Sequence, residues 1–212
     1  MRLLVLGATG STGQALLPQA LEASHEVTAI LRSPQRLSTR SDALKVVEGS
    51  VMDGSLLDDL VPGHNAVISV LGARRSLRGM GSFSLMGKTM RALVPAMQRH
   101  RVERLVVLSA LGVGETASVA PPVLRIVFHT VLRPVGNDKA ASEDYVRQSD
   151  LDWTFVYPPM LTSGPPAGDY QYGESLRVRG LKRIARADVA HFMLAQLQDD
   201  AFSRKNVIVS SG

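Results

Sequence analysis

The sequence has no cysteine. That excludes disulfides, thiolate metal sites and cysteine nucleophiles, and it fits a reducing compartment. Aromatic residues are 5% of the chain, too few for a platform that stacks bases, so no nucleic-acid partner is expected. No run of about 18 apolar residues occurs, so no membrane-spanning helix is expected. The start does not read as a signal peptide either, because no small-residue cleavage site follows a proper apolar stretch. These absences together point to a cytoplasmic protein. The five histidines, His25, His64, His100, His129 and His191, form no pair one helical turn apart, and no metal site is expected.

What remains is ordinary globular material. Of 212 residues, 45% are hydrophobic and 20% charged, enough for one sizeable core. The net charge of +5 is spread along the chain, and Arg74, Arg75 and Arg78 are the nearest approach to a cluster. That charge reads either as a mildly basic solvated surface or as a preference for anionic ligands.

Strand-like apolar runs alternate with helix-like stretches. RLLVLGA, EVTAILR, ALKVVEG, NAVISVLGA, ERLVVLSAL and WTFVYPPM read as strands, and NVIVSSG near the C-terminus as a further one. TGQALLPQALEAS and SLMGKTMRALVPAMQRH have apolar residues at helical spacing, interrupted by Pro18 and Pro95. Pro18 is expected to kink or shorten its helix. Continuous apolar strands separated by helices indicate a parallel sheet covered on both faces. Right-handed crossovers then make it doubly wound, a three-layer α/β/α arrangement of Rossmann type. The least regular regions follow the fourth, fifth and sixth strands, and in such sheets the ligand crevice lies at the carboxyl ends of the strands.

Gly7-Ala8-Thr9-Gly10-Ser11-Thr12-Gly13 follows the first strand and opens the first helix. At such a turn, glycine permits positive φ and close approach of a ligand to the backbone. A helix N-terminus presents free N–H groups and partial positive charge, a ready pyrophosphate site. The spacing is GxxGxxG, neither the usual GxGxxG fingerprint nor a P-loop. Placed between strand and helix at the head of an α/β chain, it indicates dinucleotide binding.

An NAD site usually places an acidic residue after the second strand, where it accepts from the ribose hydroxyls. Here that place holds Leu31-Arg32-Ser33, with Arg36 close behind. A guanidinium cannot accept from a hydroxyl but can clamp a 2′-phosphate, which argues for NADP(H). Asp53, after the third strand, can take the adenine amino group, cap the helix that begins at Gly54, or do both. Ser109 ends the fifth strand, where its hydroxyl can face a substrate or the carboxamide, or bond the strand end. No GxSxG elbow surrounds it, which disfavours a hydrolase. Asp188 reads as the N-cap of the last helix. His25 reads as a loop residue, and His64, His100 and His191 as structural or exposed. His129, in the apolar stretch VLRIVFHTVLRP, is the one histidine kept as a pocket candidate.

Taken together, GATGSTG, LRSPQRL, GSVMD, AVISVLGAR, LVVLSALG, the helix of Lys139, WTFVYPPM and IARADVAHFML resemble the atypical short-chain dehydrogenase/reductases. Within them the chain is most similar to the NmrA-like reductases of the biliverdin reductase B and flavin reductase type. The resemblance implies one NAD(P)-binding domain over residues 1–212, with substrate-pocket loops at about 73–82, 112–134 and 160–182. It implies pyrophosphate on Gly7, Thr9, Gly10, Ser11, Thr12 and Gly13, and the 2′-phosphate on Arg32 with Ser33 and Arg36. Asp53 would lie against the adenine, and Leu71 and Gly72 along the dinucleotide. Ser109 and Lys139 would stand by the nicotinamide, with Pro158 and Met160 framing its ring. Arg74, His129 and Met160 would line the substrate pocket.

Two departures matter. Ordinary short-chain dehydrogenases use a Tyr-x-x-x-Lys pair, in which the phenol passes a proton to the substrate oxygen. None of the tyrosines here has a lysine four positions later, and Val135 precedes Lys139 by four. Lys139 and Met160 also stand where the biliverdin reductase B type carries histidines, so tetrapyrrole specificity does not transfer.

The expected function is an NADPH-dependent oxidoreductase passing hydride to a planar conjugated small molecule such as a flavin, a quinone or a tetrapyrrole. Ser109 and Lys139 are its candidate catalytic side chains, with solvent as an alternative proton source. The alternative is an NADP-binding redox sensor without turnover. A nucleotide-sugar epimerase would call for the missing Tyr–Lys pair and a larger C-terminal domain. Oligomeric state is not legible in the sequence.

Overall fold

The computed structural model describes residues 1–72 and 84–212. Its strands are β1 (Arg2–Leu6), β2 (Glu26–Leu31), β3 (Leu44–Glu48), β4 (Ala66–Ser69), β5 (Arg104–Leu108), β6 (Asp152–Tyr157), β7 (Met160–Thr162), β8 (Tyr170–Gly173), β9 (Arg183–Ala185) and β10 (Lys205–Ser211). Its α-helices are α1 (Ser11–Glu22), α2 (Gly54–Leu60), α3 (Leu85–Arg99), α4 (Pro122–His129), α5 (Arg133–Arg147) and α6 (Arg186–Ala195).

The main sheet has eight strands in the order β3-β2-β1-β4-β5-β6-β10-β8. From β3 to β10 neighbouring strands run parallel. β8 closes the far edge antiparallel to β10. β7 and β9 form a separate short parallel pair. The order reverses direction between β1 and β4, the topological switch point at which open α/β sheets hold ligands.

Side-chain alternation explains why the strands are apolar throughout. In β1, Leu3 and Val5 pack with Leu16, Leu17 and Ala20 of α1 and Val189, Phe192 and Met193 of α6. Leu4 and Leu6 pack on the opposite face with Leu57 of α2, Met90 and Leu93 of α3 and Val146 of α5. A strand buried on both faces cannot alternate apolar with polar. Each fully buried leucine contributes about 1.5–3 kcal/mol, and that burial fixes the layers.

Three expectations are revised. The helix α1 passes through Pro18 to Glu22 without being shortened. Leu16, Leu17 and Ala20 are fully buried, and their packing outweighs the one backbone bond that proline removes. The loop expected at about 160–182 holds β7 and β8. β8 reads as loop in the sequence because it is mostly exposed: Tyr170 is half-buried with its ring 6.3 Å from Phe192, while Gln171 and Tyr172 are exposed. The stretch at about 112–134 contains a 3-10 turn (Gly114–Ser118), all of α4 and the start of α5.

Candidate functional site

The carboxyl ends of β1, β4, β5 and β6 lie side by side and define a crevice. Backbone bonds continue the ladder past the strand ends. Val70 N donates to Leu6 O at 2.9 Å, Ser109 N to Val156 O at 2.8 Å and Leu111 N to Pro158 O at 3.0 Å. Gly7, Leu71, Ser109 and Pro158 are thereby set along one edge of the sheet.

On the β1 side the site is made of backbone. Gly7 has φ +92, and a Cβ there would stand 2.9 Å from the carbonyl of Val70. A Cβ on Gly13 would stand 2.6 Å from Ala8 Cα. The turn and the start of α1 are therefore closed to any larger residue. Gly10 is the N-cap of α1 and provides no side-chain cap. The first N–H groups of that helix, at Ser11, Thr12 and Gly13, have no intrahelical acceptors. Ser11 is exposed, while Thr12 and Gly13 are buried. A capless, glycine-lined helix start beside the switch point fits the pyrophosphate of a dinucleotide.

Arg32 directly follows β2 and is exposed, with Ser33 and Pro34 half-buried behind it and Arg36 exposed. The guanidinium groups of Arg32 and Arg36 find no acceptor among the described residues. Asp53 caps α2, accepting from Ser55 N at 3.0 Å and Leu56 N at 3.2 Å through one oxygen. Among the described residues, a Cβ on Gly72 would meet nothing within 4 Å.

On the β5–β6 side the site is made of side chains. Gly136, Lys139, Glu143 and Val146 are buried on one stripe of α5, at the spacing of one helical face. Lys139 Nζ donates to Leu108 O at 3.3 Å. The Ser109 hydroxyl donates to Glu143 Oε1. Tyr157 donates to Glu143 Oε2 at 2.8 Å. Arg147 donates to the Tyr157 oxygen at 2.9 Å, to Asn206 Oδ1 at 3.0 Å and to Glu143 at 3.3 Å. Asn206 in turn donates to the exposed Glu115 at 2.6 Å. The Arg147 guanidinium also lies over the Phe155 ring, 5.0 Å from its centroid. Asp138 accepts from Met86 N and Gly87 N at 2.9 Å each. It thereby pins α5 against the start of α3 and sets the depth of Lys139.

Burial governs the proton affinities of this group. It pushes Lys139 down from 10.5 to about 8, opposed by the charges of Glu143 and Asp138. It pushes Glu143 above the usual carboxylate range, opposed by hydrogen bonds from Ser109 and Tyr157 and by the Lys139 and Arg147 charges. Burial and the Glu143 charge push the Tyr157 phenol well above its ordinary value. The site thus holds a lysine that loses its proton easily and a glutamate that keeps one easily.

The structure places Ser109 at the end of β5 and Lys139 on the adjoining Leu108 carbonyl. It adds Glu143, Tyr157 and Arg147, which sequence reading passed over. The available signal was that Lys139 and Glu143 fall in phase with Gly136 and Val146, on the face α5 buries. Pro158 is buried, and Met160 is half-buried at the start of β7. His129 is exposed at the end of α4. Arg74, Arg75 and Arg78 lie outside the described residues. An open cleft of about 560 Å³ separates Ser118, Val119, Ala120 and Pro121 from Arg177, Val178 and Arg179. Ala120 and Val178 belong to the same apolar cluster as Leu111, Tyr157 and Met160.

Asp188 is not the N-cap of the last helix. That position belongs to Ala185, and the buried Asp188 carboxylate accepts from Ala167 N at 3.1 Å and Gly168 N at 3.0 Å. It fastens the segment after β7, and α6 begins three residues earlier than an Asp188 cap would set it. His25 is buried and lies 3.3 Å from the N-terminal amine. His64 contacts Thr28 at 3.0 Å, His100 contacts Asp58 at 2.9 Å and His191 contacts Tyr170 at 2.7 Å. Among the described residues, no three His, Asp or Glu side chains gather as metal ligands, and no helix is long and apolar enough to cross a membrane.

Known proteins share this arrangement. The chain is 28% identical over 230 residues to the oxidoreductase aflX of Aspergillus parasiticus, spanning 99% of this chain and 83% of that one. The oxidoreductase ylbE of Lactococcus lactis superposes with a TM-score of 0.81 at 19% identity, over 100% of this chain and 91% of its own. The anaerobilin reductase ChuY of Escherichia coli O157:H7 superposes with a TM-score of 0.80 at 20% identity, over 99% and 96%. At these identities the two structures speak for the fold alone. The family model described as NAD(P)H-binding matches residues 7–200, and the chain belongs to that NAD(P)H-binding family.

Proposed function

We propose that the protein is an NADPH-dependent reductase that delivers hydride to a planar conjugated acceptor, within one domain spanning the chain. One observation supports this above others: a bare helix N-terminus and a buried proton-bearing cluster face the same strand ends from opposite sides. Binding alone needs only the first.

In this reading the backbone of Gly7, Thr9, Gly10, Ser11, Thr12 and Gly13 holds the pyrophosphate. Arg32, helped by Ser33 and Arg36, clamps the 2′-phosphate and selects NADPH over NADH. Asp53 keeps one oxygen on the α2 cap and offers the other to the adenine. Leu71 and Gly72 leave room along the dinucleotide, and Pro158 and Met160 bound the nicotinamide ring. The bound cofactor supplies the hydride. Ser109 and Lys139 stand where the reacting atoms meet. The acceptor lies toward the cleft between Val119 and Arg179. Arg177 and Arg179 suit an acceptor with carboxylate or phosphate substituents.

The test is anaerobic oxidation of NADPH with FMN, menadione and biliverdin supplied separately, beside NADH. Turnover of one acceptor with a preference for NADPH is the expected result. Tight NADPH binding with no oxidation by any of them would contradict the reductase and leave a redox-sensing role.

A further inference from the structure

The missing Tyr–Lys pair leaves a reductase without its usual acid, and the structure offers another. We propose that Glu143, acting through the Ser109 hydroxyl, holds the proton that the acceptor takes up as it receives hydride. The inference rests on the reductase reading above.

Geometry carries it. Glu143 is 1% exposed, and one of its oxygens is bonded to Ser109, the residue that ends β5 at the crevice. The other oxygen receives Tyr157 and Arg147. The two oxygens are thus divided, one toward the crevice and one toward the interior. Among the described residues, Lys139 and Arg147 share α5 with it, Tyr157 comes from β6, and Glu115, Asp144 and Asn206 meet it through Arg147 and Tyr157; Asp138 acts on it through Lys139. A Cβ on Gly114 would stand 2.8 Å from Glu143 Oε2, so backbone closes over the carboxyl and leaves Ser109 as its exit. Lys139 is the weaker source, because its ammonium is turned onto the Leu108 carbonyl. Burial supports a protonated Glu143, since it raises the proton affinity of that carboxyl.

The step balances. The acceptor gains a hydride, with its electron pair, from the reduced nicotinamide. The Ser109 O–H bond breaks and its proton goes to an oxygen or nitrogen of the acceptor. The donor of this pair depends on charge: Ser109 donates to the ionised carboxylate, whereas the protonated Glu143 donates to Ser109 Oγ and frees the Ser109 proton for the acceptor. The Glu143 O–H bond then breaks in turn, and its proton restores the Ser109 hydroxyl. Glu143 is left as a carboxylate held by Tyr157 and Arg147, with the Lys139 charge one turn away on α5. It regains a proton from water by the same hydroxyl once product leaves.

Two acceptors separate proton delivery from structural support. Menadione takes up a proton on two-electron reduction at neutral pH, whereas the cation N-methylacridinium takes only hydride. Glu143→Gln preserves shape and a hydrogen bond to Ser109. It should lose about 10²-fold or more in kcat with menadione and retain its rate with N-methylacridinium. In the wild type, kcat with menadione should fall as pH rises through the Glu143 range, and the variant should lose that limb. Infrared difference spectra of the cofactor-free protein should show a protonated-carboxyl stretch that disappears in Glu143→Gln. If that variant fails to fold, Ser109→Ala cuts the same link without changing charge and should lose menadione turnover by a much larger factor than N-methylacridinium turnover. Equal losses with both acceptors would overturn the proposal, as would a pH limb that vanishes only in Lys139→Met. A wild type inert toward both acceptors would instead overturn the reductase reading and this one with it. Turnover that is normal in both variants would overturn this one alone.

Discussion

The two sides of the crevice are built from different material. Beside β1 the site is backbone: a glycine at positive φ, a second that admits no Cβ, and a helix start without a side-chain cap. Beside β5 and β6 it is side chains drawn from five separated parts of the chain, Ser109, Glu115, the Lys139–Arg147 helix, Tyr157 and Asn206. Backbone N–H groups present a fixed partial charge that no titration alters, which suits a pyrophosphate. Buried side chains have protonation states that burial and neighbours tune, which suits a proton transfer. Holding and reacting are thus assigned to the part of protein chemistry fitted to each.

The largest expected effect strikes the side-chain half. Glu143→Leu leaves the buried Ser109 and Tyr157 hydroxyls and the Arg147 guanidinium without their shared partner, and should cost about 3 kcal/mol or more in urea unfolding. A cost below about 1 kcal/mol would mean the cluster is solvated and the contrast false. Gly13→Ala attacks the backbone half by pressing a methyl on Ala8 and Gly7, at a cost of about 3 kcal/mol. It should weaken NADPH binding while leaving the pH behaviour of the other half intact.

Lys139→Met sharpens the comparison through pH. The lysine titrates at about 8 in the folded chain against 10.5 ordinarily, so between those values the unfolded chain binds more protons. Wild-type stability relative to the variant should therefore be flat below about pH 8 and rise toward pH 10.5, by up to about 3 kcal/mol. Unfolding free energies of both proteins across that window check it, and parallel curves would contradict the burial. The smallest effect is Asp53→Ala. Loss of the α2 cap should cost about 1 kcal/mol in the same assay, and a second loss in NADPH affinity would mark the free oxygen as an adenine contact.

The same division explains what could be read from sequence. β1, the glycine turn and α1 lie within residues 2–22 and their demands are local, so strand, turn and helix are each legible where they stand. The parallel strands are legible because both faces are buried and every position is apolar. β8 escapes because it is mostly exposed and its partner β10 is more than thirty residues away. Glu143 escapes because a helix with Lys139, Glu143 and Arg147 one turn apart looks like a solvated salt-bridge face. Only the fold shows that this face is turned inward, onto Ser109 and Tyr157. Asp188 misleads in the opposite way: an aspartate near a helix start suggests a cap, but its carboxylate serves a distant loop.

The most direct measurement is the ratio of kcat/KM for NADPH over NADH, anaerobically and with one accepted electron acceptor, in the wild type and in Arg32→Ala. The account predicts a wild-type ratio well above unity. In the variant the ratio should collapse by about 10–10²-fold, with kcat at saturating NADPH unchanged, because Arg32 belongs to the holding half alone. A ratio that Arg32→Ala leaves untouched, or a kcat that falls with it, would contradict the division on which the account stands.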